Sequence, residues 1–132
     1  MSSNATFKQI LYVEDSPVNA TLIKEYVNHI DGAEITIAVT GEQGVEFAVA
    51  NPPDLILMDI NLPGMNGVDA MNAIRKHGGD LAEIPFIALS ADAIDEEIQR
   101  AIDAGFDDYL TKPIFFAKLK EVLTHQLSLP TN

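Results

Sequence analysis

The sequence predicts a doubly wound α/β domain built on a parallel five-stranded sheet. Short apolar runs, rich in Ile and Leu, alternate five times with amphipathic stretches of helix length. Near-continuous apolar runs of this kind are typical of strands that a parallel sheet buries on both faces. Strict alternation of strands and helices then indicates a sheet with helices packed on both sides.

The strands are identified by apolar runs that end in polar or turn residues. The weakest of them is the last, at Tyr109 and Leu110. Right-handed crossovers and a length of 132 residues favour the flavodoxin-like (βα)5 arrangement with strand order 2-1-3-4-5. Strands are predicted at residues 10–13, 35–39, 55–58, 85–89 and 109–110.

The helix boundaries are indicated by proline and glycine. Pro17 suits the first turn of a helix, and the pair Pro52-Pro53 ends the second helix before the third strand. The pair Gly78-Gly79 ends the third helix. Helices are predicted at residues 17–30, 41–50, 67–77, 94–104 and 114–127.

The composition indicates one domain and excludes several kinds of site. We expect a domain at residues 8–127 between a flexible segment, 1–7, and a tail, 128–132, with no room for an output domain. The chain has no cysteine, which excludes disulfides and thiolate chemistry. A net charge of −12 repels nucleic acids and anionic membranes, so we expect contact with neither. No apolar run could span a bilayer and no signal region is evident, so a cytoplasmic location is expected.

Polar residues gather where the predicted strands end, which is where open parallel sheets bind ligands. They are the carboxylates of Glu14, Asp15 and Asp59, the hydroxyl of Ser90 and the amine of Lys112. Each of them alone is as readily explained by a turn, a helix cap or a surface position. Three carboxylates together repel one another, and a divalent cation with oxygen ligands would offset that repulsion. Lys112 supplies a second, compact positive charge.

The motifs resemble the receiver domain of two-component response regulators, and most of all the receivers of hybrid histidine kinases. The resemblance covers about residues 8–127. Its motifs are Leu-Tyr-Val-Glu-Asp at 11–15, the long run at 54–67, Ala-Leu-Ser-Ala at 88–91, and Gly-Phe-Asp-Asp-Tyr-Leu-Thr-Lys-Pro at 105–113.

The resemblance implies a phosphoacceptor site. Asp59 would be the phosphoacceptor, and it would bind Mg²⁺ or Mn²⁺ together with Asp15 and the backbone carbonyl of Asn61. Glu14 would act on the metal through water, and it stands where many relatives have a second Asp, so an altered metal affinity is expected. Lys112 would pair first with Asp59 and then with the phosphoryl group.

The resemblance also implies a switch. Ser90 would bond a phosphoryl oxygen, and Tyr109 would turn inward and bias the face formed by the fourth predicted helix, the fifth strand and the fifth helix. Asn61 and Asp92 would tune the lifetime of the phosphoryl group. In this family the peptide bond before Pro113 is cis.

The expected phosphodonor is a histidine kinase or a histidine phosphotransfer domain. Four residues are candidates for contacts with partners. Phe115 and Phe116, at the start of the last helix, are either edge packing or an aromatic anchor. Met65 is either loop filler or a donor contact, and Asn19 lies on the first helix, where a donor would dock.

Two other classes of protein compete with this interpretation. A haloacid-dehalogenase-type phosphatase also forms an aspartyl phosphate, but it expects a second Asp where this chain has Asn61. The other class is a flavodoxin-like binding module that never accepts phosphate. The presence of Asp59, Ser90 and Lys112 argues against it. We therefore expect a switch that promotes its own phosphorylation and dephosphorylation and does not turn over an external substrate.

Overall fold

The computed structural model describes residues 7–91 and 94–129. Residues 1–6 of the predicted segment 1–7, Asp92, and residues 130–132 of the predicted tail lie outside the described residues. The strands form one sheet in the order β2-β1-β3-β4-β5, with every adjacent pair parallel, which confirms the predicted fold class. The strands are β1 Lys8–Val13, β2 Ala33–Ala38, β3 Leu55–Asp59, β4 Phe86–Ser90 and β5 Asp108–Thr111.

Helices connect the strands and cover both faces of the sheet. The sequence did not predict the four-residue helix α4, which is too short to show a helical period. The last helix begins two residues later than predicted, because Phe115 is its extended N-cap residue. The helices are α1 Pro17–Asn28, α2 Gly41–Ala50, α3 Gly67–Arg75, α4 Asp80–Glu83, α5 Asp95–Ala104 and α6 Phe116–Leu127.

The sheet separates two apolar cores. Alternation along β1 sends Ile10 and Tyr12 into the core under α1 and α6, and Leu11 and Val13 into the core under α2, α3 and α5. The central strands β3 and β4 are buried along their whole length. The first core extends beyond the predicted domain end, because Leu129 is buried in it.

The parallel register brings the functional candidates to one edge. Asp59, the last residue of β3, is paired with Leu89, and Ser90 is paired with Thr111. The strand ends therefore place Asp59, Ser90 and the residues that follow β1 and β5 side by side. In the described residues, no helix is both long and apolar enough to cross a membrane.

Side-chain caps shape the two loops that leave this edge. The Ser16 hydroxyl accepts a hydrogen bond from the Asn19 backbone N–H at 3.3 Å and so begins α1 directly after β1. The Asn66 side chain accepts one from the Asp69 N–H at 2.9 Å and begins α3. Such caps satisfy backbone donors that have no partner inside the helix. The two caps therefore fix the path of the backbone after Asp15 and after Asp59.

Candidate functional site

A single lysine joins two buried carboxylates. Lys112 Nζ lies 3.0 Å from Glu14 Oε1 and 3.0 Å from Asp59 Oδ2. Only 1% of Glu14 and 4% of Asp59 is exposed. Because a buried charge is costly without a partner, Lys112 is the counter-charge that makes this burial tolerable.

Asp59 is held at both oxygens. While Oδ2 faces Lys112, Oδ1 accepts a hydrogen bond from the backbone N–H of Asn61 at 2.8 Å. The chain turns back on Asp59 directly after β3, which brings the backbone of Asn61 to the carboxylate. The orientation of Asp59 is therefore set before any ligand arrives.

The Glu14 carboxylate accepts three hydrogen bonds. Its Oε1 accepts hydrogen bonds from the Tyr12 hydroxyl at 2.7 Å and from Lys112, and its Oε2 accepts one from the Ser16 N–H at 3.2 Å. The next residue, Asp15, is exposed. The site thus has two buried carboxylates and one that faces solvent.

The three carboxylates fit a hard divalent cation. Glu14, Asp15 and Asp59 each offer an oxygen, and these oxygens lie within 4.8 Å of one another. Oxygen-only donors suit Mg²⁺ or Mn²⁺, and a small ion with ligands at about 2 Å fits between oxygens spaced this closely. The backbone carbonyl of Asn61 belongs to the same turn.

The electrostatics of the metal-free site also favour a cation. Burial raises the pKa of Glu14 and the charge of Asp59 raises it further, although the bonds from Tyr12 and Lys112 oppose this. Burial acts to lower the pKa of Lys112, but its bonds to Asp59 and Glu14 outweigh that effect and raise it overall. Burial, reinforced by the bond to Glu14, raises the pKa of Tyr12, so its hydroxyl stays protonated. One ammonium group does not balance three carboxylates.

The raised pKa of Glu14 predicts that Glu14→Gln is more stable than the wild type at pH 7 in the absence of metal. A group whose folded pKa lies above its unfolded value stabilises the fold below the unfolded value, near about 4.3 for Glu. That stability is lost as the pH rises through the folded pKa. Urea unfolding in EDTA between pH 4 and pH 7 measures both effects, and the wild type should lose more stability over this range than the variant.

A matched control is Glu46→Gln, which neutralises an exposed glutamate on α2. We expect little change in its free energy of unfolding and a pH dependence like that of the wild type. A Glu14→Gln protein that is less stable than the wild type at pH 7 would contradict the raised pKa of Glu14.

The two switch candidates lie on neighbouring strands. Ser90 is buried at the end of β4, beside the strand that carries Asp59. Tyr109 is 36% exposed on β5, where its neighbours line a surface cavity of about 350 Å³ together with Lys118. The peptide bond between Lys112 and Pro113 is cis.

The four partner candidates do not share one environment. Phe115 is 67% exposed, whereas the ring of Phe116 packs edge-on against Tyr26 with the ring centres 5.6 Å apart. Met65 is half-buried beside the start of α2, and Asn19 borders a small cavity of about 40 Å³ next to Lys112. The structure brings Asn19 close to the acidic site and leaves Phe115 open to solvent.

The sequence reasoning missed Tyr12 as a member of the site. Tyr12 belongs to the predicted first strand and to the motif at 11–15 but was given no role, although its spacing from Glu14 indicates one. Residues two apart on a strand point to the same face, so Tyr12 and Glu14 had to lie on one side of the sheet.

Comparison with known proteins identifies the family. A family model described as the response regulator receiver domain matches residues 10–124. The sequence is 38% identical over 116 residues to hybrid signal transduction histidine kinase G of Dictyostelium discoideum, covering 87% of this chain and 3% of that protein. It is 36% identical over 120 residues to the transcriptional regulatory protein PrrA of Mycobacterium bovis, covering 90% of this chain and 49% of PrrA. The chain thus spans less than half the length of either relative.

A solved structure agrees with both the sequence and the fold. The receiver domain of sensor histidine kinase PA1611 from Pseudomonas aeruginosa, crystallised with a magnesium ion coordinated in its active site cleft, superposes with a TM-score of 0.83 at 35% identity. The match covers 92% of this chain and 98% of that one. With the family model matched over most of its length, this chain belongs to the response regulator receiver domain family of two-component signalling.

Proposed function

We propose that Asp59 accepts a phosphoryl group from a phosphohistidine in a Mg²⁺-dependent reaction and that this modification switches a partner-binding face. One observation carries the proposal: a buried carboxylate whose Oδ2 lies 3.0 Å from Lys112 Nζ, with the oxygens of Glu14 and Asp15 beside it. The matched relatives include hybrid kinases, which favours a histidine kinase or a histidine phosphotransfer domain as the donor.

The chemistry needs a positioned nucleophile and a place for negative charge. An oxygen of Asp59 attacks phosphorus, the new O–P bond forms, and the N–P bond to the donor imidazole breaks with its electron pair leaving on nitrogen. Lys112 then pairs with the incoming phosphoryl oxygens, and the Ser90 hydroxyl donates to one of them. The hydrogen bond from Asn61 to Oδ1 keeps the carboxylate aligned during this approach.

The acidic residues would hold the divalent ion. Asp15, Asp59 and the backbone carbonyl of Asn61 are the proposed direct ligands, and Glu14 would act through water. When bound, the cation neutralises charge between the carboxylates and the phosphoryl oxygens. The magnesium ion in the cleft of the PA1611 receiver supports this assignment.

The output would follow from Ser90 and Tyr109. We propose that Ser90 moves toward the phosphoryl group and that Tyr109, now partly exposed, turns into the space beside β5. Phosphorylation shifts this equilibrium only by as much as it stabilises the active state over the resting one. The face that responds consists of α5, β5 and α6, with the exposed Phe115 at its border.

The remaining predicted roles belong to the same proposal. Asn61 is exposed and lies two residues after Asp59. It would tune the lifetime of the phosphoryl group together with Asp92. Asn19 borders a cavity beside Lys112, so it is the nearer candidate for a donor contact, and Met65, in the loop after β3, is the other. The chain would modify only itself and would not turn over an external substrate.

The direct test is phosphorylation by acetyl phosphate, measured by intact mass with Mg²⁺ and with EDTA. We expect a single labile phosphoryl adduct that forms only with the metal. A wild-type protein that forms no adduct would indicate a binding module that takes no phosphate. Steady release of phosphate from unrelated phosphate esters would indicate a phosphatase instead.

A further inference from the structure

A tyrosine hydroxyl reaches the acidic site from inside the protein. Tyr12 is fully buried on β1, and its ring packs in the core that α1 and α6 cover. Its hydroxyl donates a hydrogen bond of 2.7 Å to Oε1 of Glu14. Because close packing holds the ring in one rotamer, it also fixes the position of the hydroxyl group.

Glu14 needs such support, because it has a longer side chain than Asp and more rotatable bonds to restrain. In the resting arrangement Tyr12 and Lys112 both donate to Oε1, while the Ser16 N–H donates to Oε2. Lys112 is shared with Asp59 and would pair with the phosphoryl group once it arrives. When Lys112 turns to the phosphoryl group, Tyr12 remains as the donor to Oε1.

We propose that Tyr12 is a positioning residue for the divalent-metal site: its core-anchored hydroxyl holds the Glu14 carboxylate in the orientation that supports metal binding, whether or not Lys112 contacts it. The inference rests on the proposed function, since it assumes a divalent ion held by Asp15 and Asp59, with Glu14 acting on it through water. Groups that orient a metal-site carboxylate in this way influence metal affinity strongly, although they never touch the ion.

A purely structural role for Tyr12 makes a different prediction. If the hydroxyl only satisfied a buried polar group in the core, its removal would change the free energy of unfolding and leave metal affinity unchanged. Metal affinity therefore separates the two roles, and it does so without any measurement of phosphoryl transfer.

The test is Tyr12→Phe, which removes one oxygen and keeps the packed ring. Isothermal titration with MgCl₂ should show that the dissociation constant rises by about tenfold, at the lower end of the effect of such supporting groups. The matched control is Tyr26→Phe, a second ring in the same core that packs against Phe116 away from the acidic oxygens, and it should bind Mg²⁺ like the wild type. Urea unfolding of each variant shows that the fold is retained.

A double variant tests whether Tyr12 acts through Glu14. In a Glu14→Gln background, Tyr12→Phe should cause no further loss of Mg²⁺ affinity, because the group that it orients has already lost its charge. An affinity within about twofold of the wild type for Tyr12→Phe, or an equal loss in both backgrounds, would overturn the inference. A wild-type protein that binds no Mg²⁺ would overturn it as well.

The experiments can exclude the proposed phosphoryl transfer and the proposed role of Tyr12 independently of each other. If the wild type binds Mg²⁺ and Tyr12→Phe weakens that binding, but acetyl phosphate leaves no adduct, then phosphoryl transfer is excluded and the role of Tyr12 stands. If the adduct forms while Tyr12→Phe binds Mg²⁺ normally, only the role of Tyr12 is excluded.

Discussion

Asp59→Asn is expected to abolish the phosphoryl adduct that we expect the wild type to acquire from acetyl phosphate and Mg²⁺. An amide is a far weaker nucleophile than a carboxylate, and the substitution also removes a proposed metal ligand and one of the two carboxylate partners of Lys112. Intact mass at several reaction times measures the effect. The expected result is complete loss, since no neighbouring group replaces a strand-end carboxylate held at both oxygens.

The loss in Asp59→Asn should not come from unfolding. The variant removes one of three mutually repelling charges, so its free energy of unfolding without metal should be equal to that of the wild type or higher. The matched control is Asp69→Asn, which neutralises an exposed carboxylate on α3 and should be phosphorylated normally. An adduct on Asp59→Asn would mean that another residue is the phosphoacceptor.

Gly67→Ala is expected to destabilise the protein by about 3 kcal/mol, at the upper end of the usual range for overpacking. A Cβ at this position would lie 2.7 Å from the backbone O of Asp59 and 2.7 Å from the Cα of Ile60. Both neighbours are backbone atoms at the end of β3, so no side-chain rotation relieves the clash. Either α3 or the end of β3 has to move, and Asp59 moves with the strand.

The consequence of Gly67→Ala should extend to function. Urea unfolding measures the stability loss, and titration with MgCl₂ at low temperature should show weaker binding in the fraction that still folds. The control is Gly64→Ala in the same loop. Its φ of 73° makes alanine strained, yet nothing lies within 4 Å of the added methyl group, so we expect a loss of about 1 kcal/mol and little change in Mg²⁺ affinity. Equal losses at the two positions would contradict the steric explanation.

The fold and the acidic edge could be predicted from local patterns, and the reason is physical. The strands are apolar runs buried on both faces, and a parallel sheet ends all of its strands on one side, so strand-end polar residues have to meet. That predicted the grouping of Asp59 with Glu14 and Ser90. Helix α4 was missed because four residues show no period, and α6 was predicted to begin at Ile114 rather than Phe116 because Ile114 is buried without being helical.

Other features of the site depend on contacts between distant parts of the chain. Lys112 is separated from Glu14 by 98 positions and from Asp59 by 53, so its sharing between the two carboxylates follows from how β5 packs against β4. The difference in exposure between Phe115 and Phe116 also follows from packing. Adjacent residues at the start of a helix point in different directions, and of these two Phe116 contacts Tyr26.

Hydrophobic periodicity along the chain and the right-handedness of crossovers were enough to predict the sheet, its strand order and the residues at its edge. The pairing of those residues depends instead on packing between distant parts of the chain. It placed the Lys112 ammonium between two buried carboxylates and brought the Tyr12 hydroxyl to Glu14 from the core. Hydrogen-bond partners depend on separations of tenths of an ångström between side chains, and packing of the whole domain sets those separations.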